Sequence, residues 1–166
     1  GTYGPYPIGF AFTFFGQSYW EFYVSPNGWA GFSQEAGSIL WCSTFGKSTM
    51  PNNLIGGFGG DRAIESADGG EIAYKLFGSA PDRRLVIQFT RLRYSFASPG
   101  DHLDMQVILY EGSDQIQVQY ANLTAPASGS VGLEGPYPDY FYRCYQETCP
   151  AEVGEHLAVR FRPVSP

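Results

Sequence analysis

The sequence predicts an all-β fold, a two-sheet antiparallel β-sandwich of jelly-roll or immunoglobulin-like type with very little helix. Short runs of alternating apolar and polar residues recur along the 166 residues, and a period of two is typical of strands. The 21 glycines and 12 prolines separate these runs and supply turns. Aromatic residues make up 17% of the chain and charged residues only 16%, which disfavours helical bundles and disorder.

The N-terminal part predicts strands joined by tight turns. Alternating phenylalanines indicate a strand over residues 10–15, and aromatic and β-branched residues indicate a second over 19–25. Pro26-Asn27-Gly28 follows, and it has the composition of a hairpin turn because proline presets φ and Asn-Gly tolerates a positive φ. Residues 29–33 should therefore run back against the second strand.

The middle of the chain divides into an irregular stretch and a regular one. Residues 34–66 carry scattered glycine, proline and asparagine, including the glycine cluster at 56–60, so some of this stretch must be loop. A four-strand meander is predicted next, over 71–77, 84–94, 102–111 and 115–120. One of its faces is apolar and predicted to be core: Leu103, Met105, Val107, Leu109, Ile116, Val118 and Tyr120. Glutamines at 115, 117 and 119 should face water.

Two further strands, at 131–133 and 156–162, bring the expected total to about nine to eleven. In the last one, Leu157, Val159 and Phe161 form the apolar set. So many short strands fit two packed sheets better than one open sheet, because two sheets bury both inner faces. Residues 1–166 are predicted to be one extracellular domain, with a tyrosine-rich insertion at 136–149 closed by a disulfide.

Charge and hydropathy exclude two classes of partner. A net charge of −6 and a pI near 4.8 give no basic surface for nucleic acid. No apolar run reaches the roughly 18 to 20 residues that a membrane span needs. The partners expected are therefore other protein chains, by self-assembly or between neighbouring domains, or glycans.

Cysteine spacing and one sequon suggest a secreted chain. Four residues separate Cys144 from Cys149, and the two are predicted to form a small-loop disulfide, with two free thiols as the alternative. Cys42 would then be a buried small hydrophobe or the site of a bridge to another chain. Asn122-Leu123-Thr124 is a candidate glycosylation sequon at Asn122, which fits a secreted or cell-surface location.

Several segments carry a family resemblance that covers nearly the whole chain. The chain resembles nidogen-like domains and related β-rich modules of secreted bacterial proteins, and the segments occur in the order shown by those modules: 8–16, 23–33, 51–55, 70–74, 80–89, 106–111, 130–134 and 157–161. The resemblance implies an extracellular β-rich module without a catalytic signature. Such modules commonly carry a Phe-Trp-x-Asp stretch after the Pro-Asn-Asn-Leu-Ile equivalent, of which this chain keeps Asp61.

No catalytic site is predicted. His102 and His156 are the only imidazoles, and no Gly-x-Ser-x-Gly, His-Glu-x-x-His or Ser-x-x-Lys motif frames a nucleophile or a metal. Asp101 and Asp104 flank His102, but strand alternation favours solvent-facing polar side chains there. The chain is therefore interpreted as a non-enzyme.

An acidic loop is the one candidate cofactor site. Four carboxylates lie within eleven residues, at Asp61, Glu65, Asp68 and Glu71, among glycines. Calcium prefers several oxygen ligands in a flexible loop, so a Ca²⁺ site with Asp61 and Asp68 as ligands is a hypothesis. The alternative is a solvated loop, and no other cofactor is expected.

The surplus of aromatic residues points to binding. Exposed tyrosine and tryptophan offer rigid contact area for a protein or a sugar ring, and the candidates are Tyr137, Tyr140, Tyr142, Tyr145, Trp20 and Trp41. The alternative is that the tyrosine-rich segment covers the end of the sandwich. The function predicted is a non-catalytic adhesion or assembly module; a filament or sheath subunit and a carbohydrate-binding module are the other hypotheses.

Overall fold

The structure, a computed structural model, describes residues 1–34, 52–94, 102–123, 129–137 and 156–164, and the backbone of 140–143. Two antiparallel sheets pack face to face, which confirms the predicted all-β sandwich. The described residues form twelve strands: β1 (Tyr3–Phe14), β2 (Gln17–Ser25), β3 (Trp29–Gly31), β4 (Leu54–Gly59), β5 (Arg62–Ala63), β6 (Glu71–Phe77), β7 (Arg84–Tyr94), β8 (Leu103–Tyr110), β9 (Ile116–Ala121), β10 (Ser130–Glu134), β11 (Tyr140–Arg143) and β12 (Ala158–Phe161). One 3-10 turn, Ser66–Asp68, precedes β6.

Each sheet has six strands. The first sheet runs in the order β1-β2-β3-β4-β10-β11, and the second in the order β12-β9-β8-β7-β5. In the second sheet β6 also pairs with β7, over residues 84–90 of that strand, whereas β5 pairs with residues 93–94. The inner faces form one core, in which phenylalanines of β1 meet the apolar residues of β7, β8 and β9. The predicted core face of the meander is buried as expected, from Leu103 to Tyr120.

The predicted hairpin turn is present and is itself buried. Val24 pairs with Ala30 across it, and the turn residues Asn27 and Gly28 both lie in the buried class. Four backbone N–H groups of the next segment donate to these two residues at 3.1–3.2 Å: Gly57 and Phe58 to the Gly28 carbonyl, Gly60 to the Asn27 carbonyl and Arg62 to the Asn27 side chain. The turn therefore fixes the crossover from β4 in the first sheet to β5 in the second.

The glycine cluster, interpreted from sequence as part of an irregular stretch, lies mainly within β4. Glycine suits this position because the two sheets approach closely: a methyl group on Gly57 would lie 2.9 Å from the end of the Met105 side chain, which would have to move. The Tyr120 hydroxyl also donates to the Gly57 carbonyl at 2.6 Å. Composition alone indicates a loop at this point, whereas packing between sheets makes it a strand.

A one-residue bulge interrupts the pairing of β7 with β8. Phe89 pairs with Met105 and Leu92 with Leu103, so β7 holds one extra residue. Arg91 lies in this bulge with φ 54°, and its backbone N–H donates to Asp104 Oδ1 at 2.7 Å. Asp104 is therefore half-buried and structural, and not simply the solvent-facing residue expected from alternation.

The C-terminal strand is shorter than expected. It covers Ala158–Phe161 and forms an edge of the second sheet. Phe161 is buried and Val159 packs against the core, as predicted. Leu157 was predicted to lie within this strand, but it precedes the strand and is 42% exposed.

An ion pair ties the two sheets together at one end of the sandwich. Arg83 bonds both carboxylate oxygens of Glu111, at 2.7 and 2.5 Å, and its Nη1 donates to the Gly9 carbonyl of β1 at 2.7 Å. Hydrogen bonding from Arg83 lowers the pKa of Glu111 below its ordinary value, and the same bond raises the pKa of Arg83. The paired state is favoured when Glu111 is ionised.

The buried turn should be intolerant of any side chain at position 28. Gly28 has φ 83°, and a methyl group would lie 2.4 Å from the Phe58 carbonyl oxygen. We expect Gly28→Ala to lower the free energy of unfolding by about 3 kcal/mol or more, from backbone strain plus overlap. The matched control is Gly16→Ala, which has φ 78° but open space around the methyl group, so it should cost only about 1 kcal/mol. Equal costs in denaturant titrations would contradict this account of the turn.

The Glu111 ion pair predicts a pH dependence of stability. Because the folded pKa of Glu111 lies below its unfolded value, its stabilisation is complete above the unfolded pKa of about 4.3 and is lost as pH falls through the folded pKa. Glu111→Gln should therefore lower the melting temperature at neutral pH, and the difference from the original protein should shrink in acid. Glu21→Gln, at an exposed position of β2, is the control. A difference that stays constant with pH would count against the ion pair.

Candidate functional site

Among the edge strands whose side-chain burial is described, β6 is the most exposed. Six of its seven residues are exposed and one is half-buried, and its pairing with β7 is regular over the whole length. Tyr74, Leu76 and Phe77 are 43%, 40% and 37% exposed. Within the described part of the chain, no strand pairs with the outer edge of β6. Its backbone and its apolar side chains are together accessible to a partner.

The other edge strands are less suited to pairing. β1 contains Pro5 and Pro7 and two register shifts against β2, and proline cannot donate to a neighbouring strand. β5, β11 and β12 have only two, four and four residues. Short, interrupted edges are how natural sheets avoid unwanted pairing, and β6 lacks such protection.

The two faces of β6 differ in chemistry. Ile72, Tyr74 and Leu76 lie opposite the buried residues of β7 and so belong to the inner face. The Tyr74 ring packs 5.2 Å from the rings of Tyr6 and Phe22 in the first sheet. Glu71, Ala73, Lys75 and Phe77 lie on the outer face. An added strand would therefore meet apolar side chains on one side and a Glu and a Lys on the other.

The outer face of the second sheet carries a row of glutamine amides, here called the glutamine row: Gln88, Gln106 and Gln119. Gln88 pairs with Gln106, and Gln106 pairs with Gln119, so the three side chains lie side by side on β7, β8 and β9. Their amides are joined by hydrogen bonds of 2.6 Å. Ala73 and Ala158 occupy the two ends of the row.

The hydrogen bonds of the glutamine row all run in one direction. The Arg160 guanidinium donates to the side-chain oxygen of Gln117 through Nη2 and through Nε, the latter at 2.9 Å. The Gln117 amide nitrogen in turn donates to the side-chain oxygen of Gln119 at 2.6 Å. After Gln119, Gln106 and Gln88, the series ends where Gln88 donates to its neighbouring Phe89 carbonyl at 3.1 Å. A guanidinium can only donate and a carbonyl can only accept, so the two ends fix the orientation of every amide between them.

A groove of about 360 Å³ lies over this row. Its lining includes the three glutamines, Asp104, His156 and Leu157. Both oxygens of Asp104 are engaged: Oδ1 accepts from the Arg91 backbone and Oδ2 accepts from Asn122 Nδ2, each at 2.7 Å. Asn122, the predicted glycosylation site, is exposed just after β9 and thus lies beside this groove.

The predicted aromatic residues that the structure describes do not form one surface. Trp20 and Tyr137 are 64% and 67% exposed, as a contact residue should be. Trp20, however, lies in β2, whereas Tyr137 follows β10. Strands β3 and β4 lie between β2 and β10, so the axes of those two strands are about 14 Å apart. The two rings therefore stand at separate places on the first sheet.

The structure describes only the backbone, or nothing, of the other aromatic and cysteine residues that the sequence analysis singled out. Tyr140 and Tyr142 are in β11, where a register shift against β10 inserts one extra residue and interrupts the regular alternation of the strand. Nothing is described of their side chains. Trp41, Tyr145, Cys42, Cys144 and Cys149 lie outside the described residues, so the disulfide stays a prediction.

The acidic loop is arranged around an arginine. Arg93 Nη2 bonds Glu65, and Nη1 lies 3.8 Å from Asp68 Oδ2. The hydrogen bond to Glu65, with the charges of Glu65 and Asp68, raises the pKa of Arg93 above its ordinary value. Asp61 is half-buried after β4. Among the residues with described placement, no three His, Cys, Asp or Glu side chains converge as a metal site requires.

The two histidines lie in separate segments, each just before a different strand. His102 immediately precedes β8 and His156 lies two residues before β12. Asp104 is bonded to Arg91 and Asn122, so it acts in the bulge.

Comparison with known proteins identifies the family. A family model described as NIDO related matches residues 1–156. The chain belongs to the NIDO-related family. No curated protein and no solved structure matches it. Membership indicates an extracellular module, and in the described ranges the NIDO-related domain has no helix with the length and apolar character to cross a membrane.

The glutamine row of the NIDO-related domain was not predicted as a site. The alternation of Gln115, Gln117 and Gln119 was visible and was interpreted as a water-facing surface. The missing signal is the pairing of strands, because Gln88, Gln106 and Gln119 meet only through the β7-β8-β9 order. A polar residue repeated at the same register on three neighbouring strands is the pattern that marks them.

The calcium hypothesis gives a direct measurement on the NIDO-related domain. A cation that Asp61 and Asp68 bind only in the folded state would raise stability by about 2.7 kcal/mol at a hundredfold excess over its Kd. Asp68→Asn should remove that gain, measured as the melting temperature in calcium and in chelator, while Asp82→Asn, outside the loop, should leave it. Equal melting temperatures in the two solutions contradict the site.

Proposed function

We propose that this domain is a non-catalytic extracellular adhesion or assembly module that binds another protein chain through the edge of β6. The observation that carries the proposal is the exposed, regular, proline-free edge of β6 with apolar side chains on it. Such an edge binds a further strand by backbone hydrogen bonds, and neighbouring side chains select the partner.

The partner that fits best is a second copy of the chain. If two β6 strands pair antiparallel about Ala73, Glu71 of each copy lies opposite Lys75 of the other. Ile72 then lies opposite Tyr74 on the inner face. Opposite charges and apolar pairs directly across a ladder each stabilise it by about 0.2–1 kcal/mol. The edge is thus complementary to itself in charge and in hydrophobicity.

Antiparallel pairing of two β6 strands distinguishes a dimeric module from the subunit of a filament. A two-fold contact uses the same edge on both copies and closes on itself, whereas a filament needs two different surfaces. Pairing through β6 alone therefore gives dimers. A single strand pair buries little surface, so the dimer should be weak and should form at high concentration or at a crowded cell surface.

A charge-swap series tests the proposal. Sedimentation velocity up to millimolar protein should show a monomer–dimer equilibrium for the original sequence. Lys75→Glu places Glu71 against a second glutamate in both halves of the contact and should weaken the dimer at least about fivefold. The double variant Glu71→Lys with Lys75→Glu restores the opposite charges and should recover dimerisation.

Two outcomes contradict the proposal. A monomer at every concentration excludes self-pairing, and polymers that grow with concentration favour the filament subunit. Lys47→Glu, at a lysine outside β6, is the control for a general effect of net charge. If it weakens the dimer as much as Lys75→Glu does, the Glu71–Lys75 register is wrong.

A further inference from the structure

We propose that the groove over the glutamine row binds a neutral carbohydrate chain. The site differs from the β6 edge in both location and ligand, so it is independent of the proposed self-pairing. It is built from the outer faces of β7, β8 and β9 and from the residues that precede β12.

The first argument is the hydrogen-bonding capacity of the row. A glutamine amide has two N–H donors and an oxygen with two acceptor sites. Gln88, Gln106 and Gln119 each use one donor and one acceptor within the series of hydrogen bonds. Each therefore keeps one donor and one acceptor for a ligand. Sugar hydroxyls, which donate and accept from one atom, match groups of this kind.

The second argument is that the amides are held in place. The series begins at Arg160 and ends at the Phe89 carbonyl, so no amide can rotate without losing a bond at each side. Ligands lose less affinity to side-chain ordering when the binding groups are already fixed. The row spans two strand spacings, about 10 Å, so it can contact more than one ring of a chain.

The third argument is the character of the lining. Leu157 is 42% exposed and lies along the groove beside Ala158, where it offers apolar surface to the C–H face of a sugar. Asp104 is the acidic residue of the lining, and the protein itself engages both of its oxygens. Among the described residues, the lining contains no lysine or arginine, so an anionic polysaccharide meets no strong counter-charge from them. The ligand favoured is uncharged and polyhydroxylated.

Affinity electrophoresis through gels that contain a soluble neutral polysaccharide tests this inference. Four gels with dextran, galactomannan, xyloglucan and hydroxyethyl cellulose are compared with a gel without polysaccharide. At least one should retard the protein. In that gel, Gln106→Ala should weaken the apparent affinity about tenfold, since it removes two hydrogen bonds worth roughly 0.5–1.5 kcal/mol each. Gln88→Ala, at the acceptor end of the row, is the second variant in case the first one fails to fold.

Gln17→Ala is the matched control, because it deletes the same amide from an exposed position of β2 and should leave retardation unchanged. Melting temperatures establish which variants keep the fold. A further gel contains heparin, an anionic polysaccharide. The inference is overturned if no neutral polysaccharide retards the protein, if only the heparin gel does, or if the folded Gln106→Ala and Gln88→Ala variants migrate like the original. Both glutamine variants should still dimerise as the original does, so this test and the β6 test fail separately.

Discussion

Two residues of one buried turn accept the hydrogen bonds of four backbone N–H groups in a neighbouring segment of the chain. Gly57, Phe58, Gly60 and Arg62 all donate to Asn27 or Gly28, and these are the residues over which the chain leaves the first sheet and enters the second. A buried backbone amide without a partner costs about as much as a lost hydrogen bond. The sandwich can therefore close at this point only while the Pro26–Gly28 turn keeps its conformation.

The same close approach explains how the two sheets are held face to face. Gly57, next to the turn, leaves room for Met105 and accepts the Tyr120 hydroxyl from the opposite sheet. At Gly9 of β1, Arg83 joins the Gly9 carbonyl to the Glu111 carboxylate. Specific polar contacts thus set the relative position of the sheets, while the phenylalanines of β1 and the apolar residues of β7, β8 and β9 pack between them.

Much of the fold could be predicted because its signals are local. The phenylalanines of β1, the Pro-Asn-Gly turn and the alternating residues of β8 and β9 each determine their own conformation. β4 could not be predicted, because its glycines indicate a loop unless the approach of Met105 is known. The candidate sites were predicted less well. The surplus of aromatic residues in the sequence indicates that some, such as Tyr137 and Trp20, must be exposed. The distance between these two residues depends on the order of the strands in the sheet, which the sequence does not show. The glutamine row likewise depends on register between strands, which no single segment contains.

The one-way series of hydrogen bonds gives the outer face of the second sheet a polarity. From Arg160 to Phe89 every amide points the same way, so the two ends of the row differ. A polysaccharide also has two unlike ends, and a polar row distinguishes a chain laid in one sense from the same chain reversed. In a dimer related by a two-fold axis at Ala73, the two rows would meet end to end with opposite senses. One ligand chain laid across both rows would therefore match the sense of only one of them.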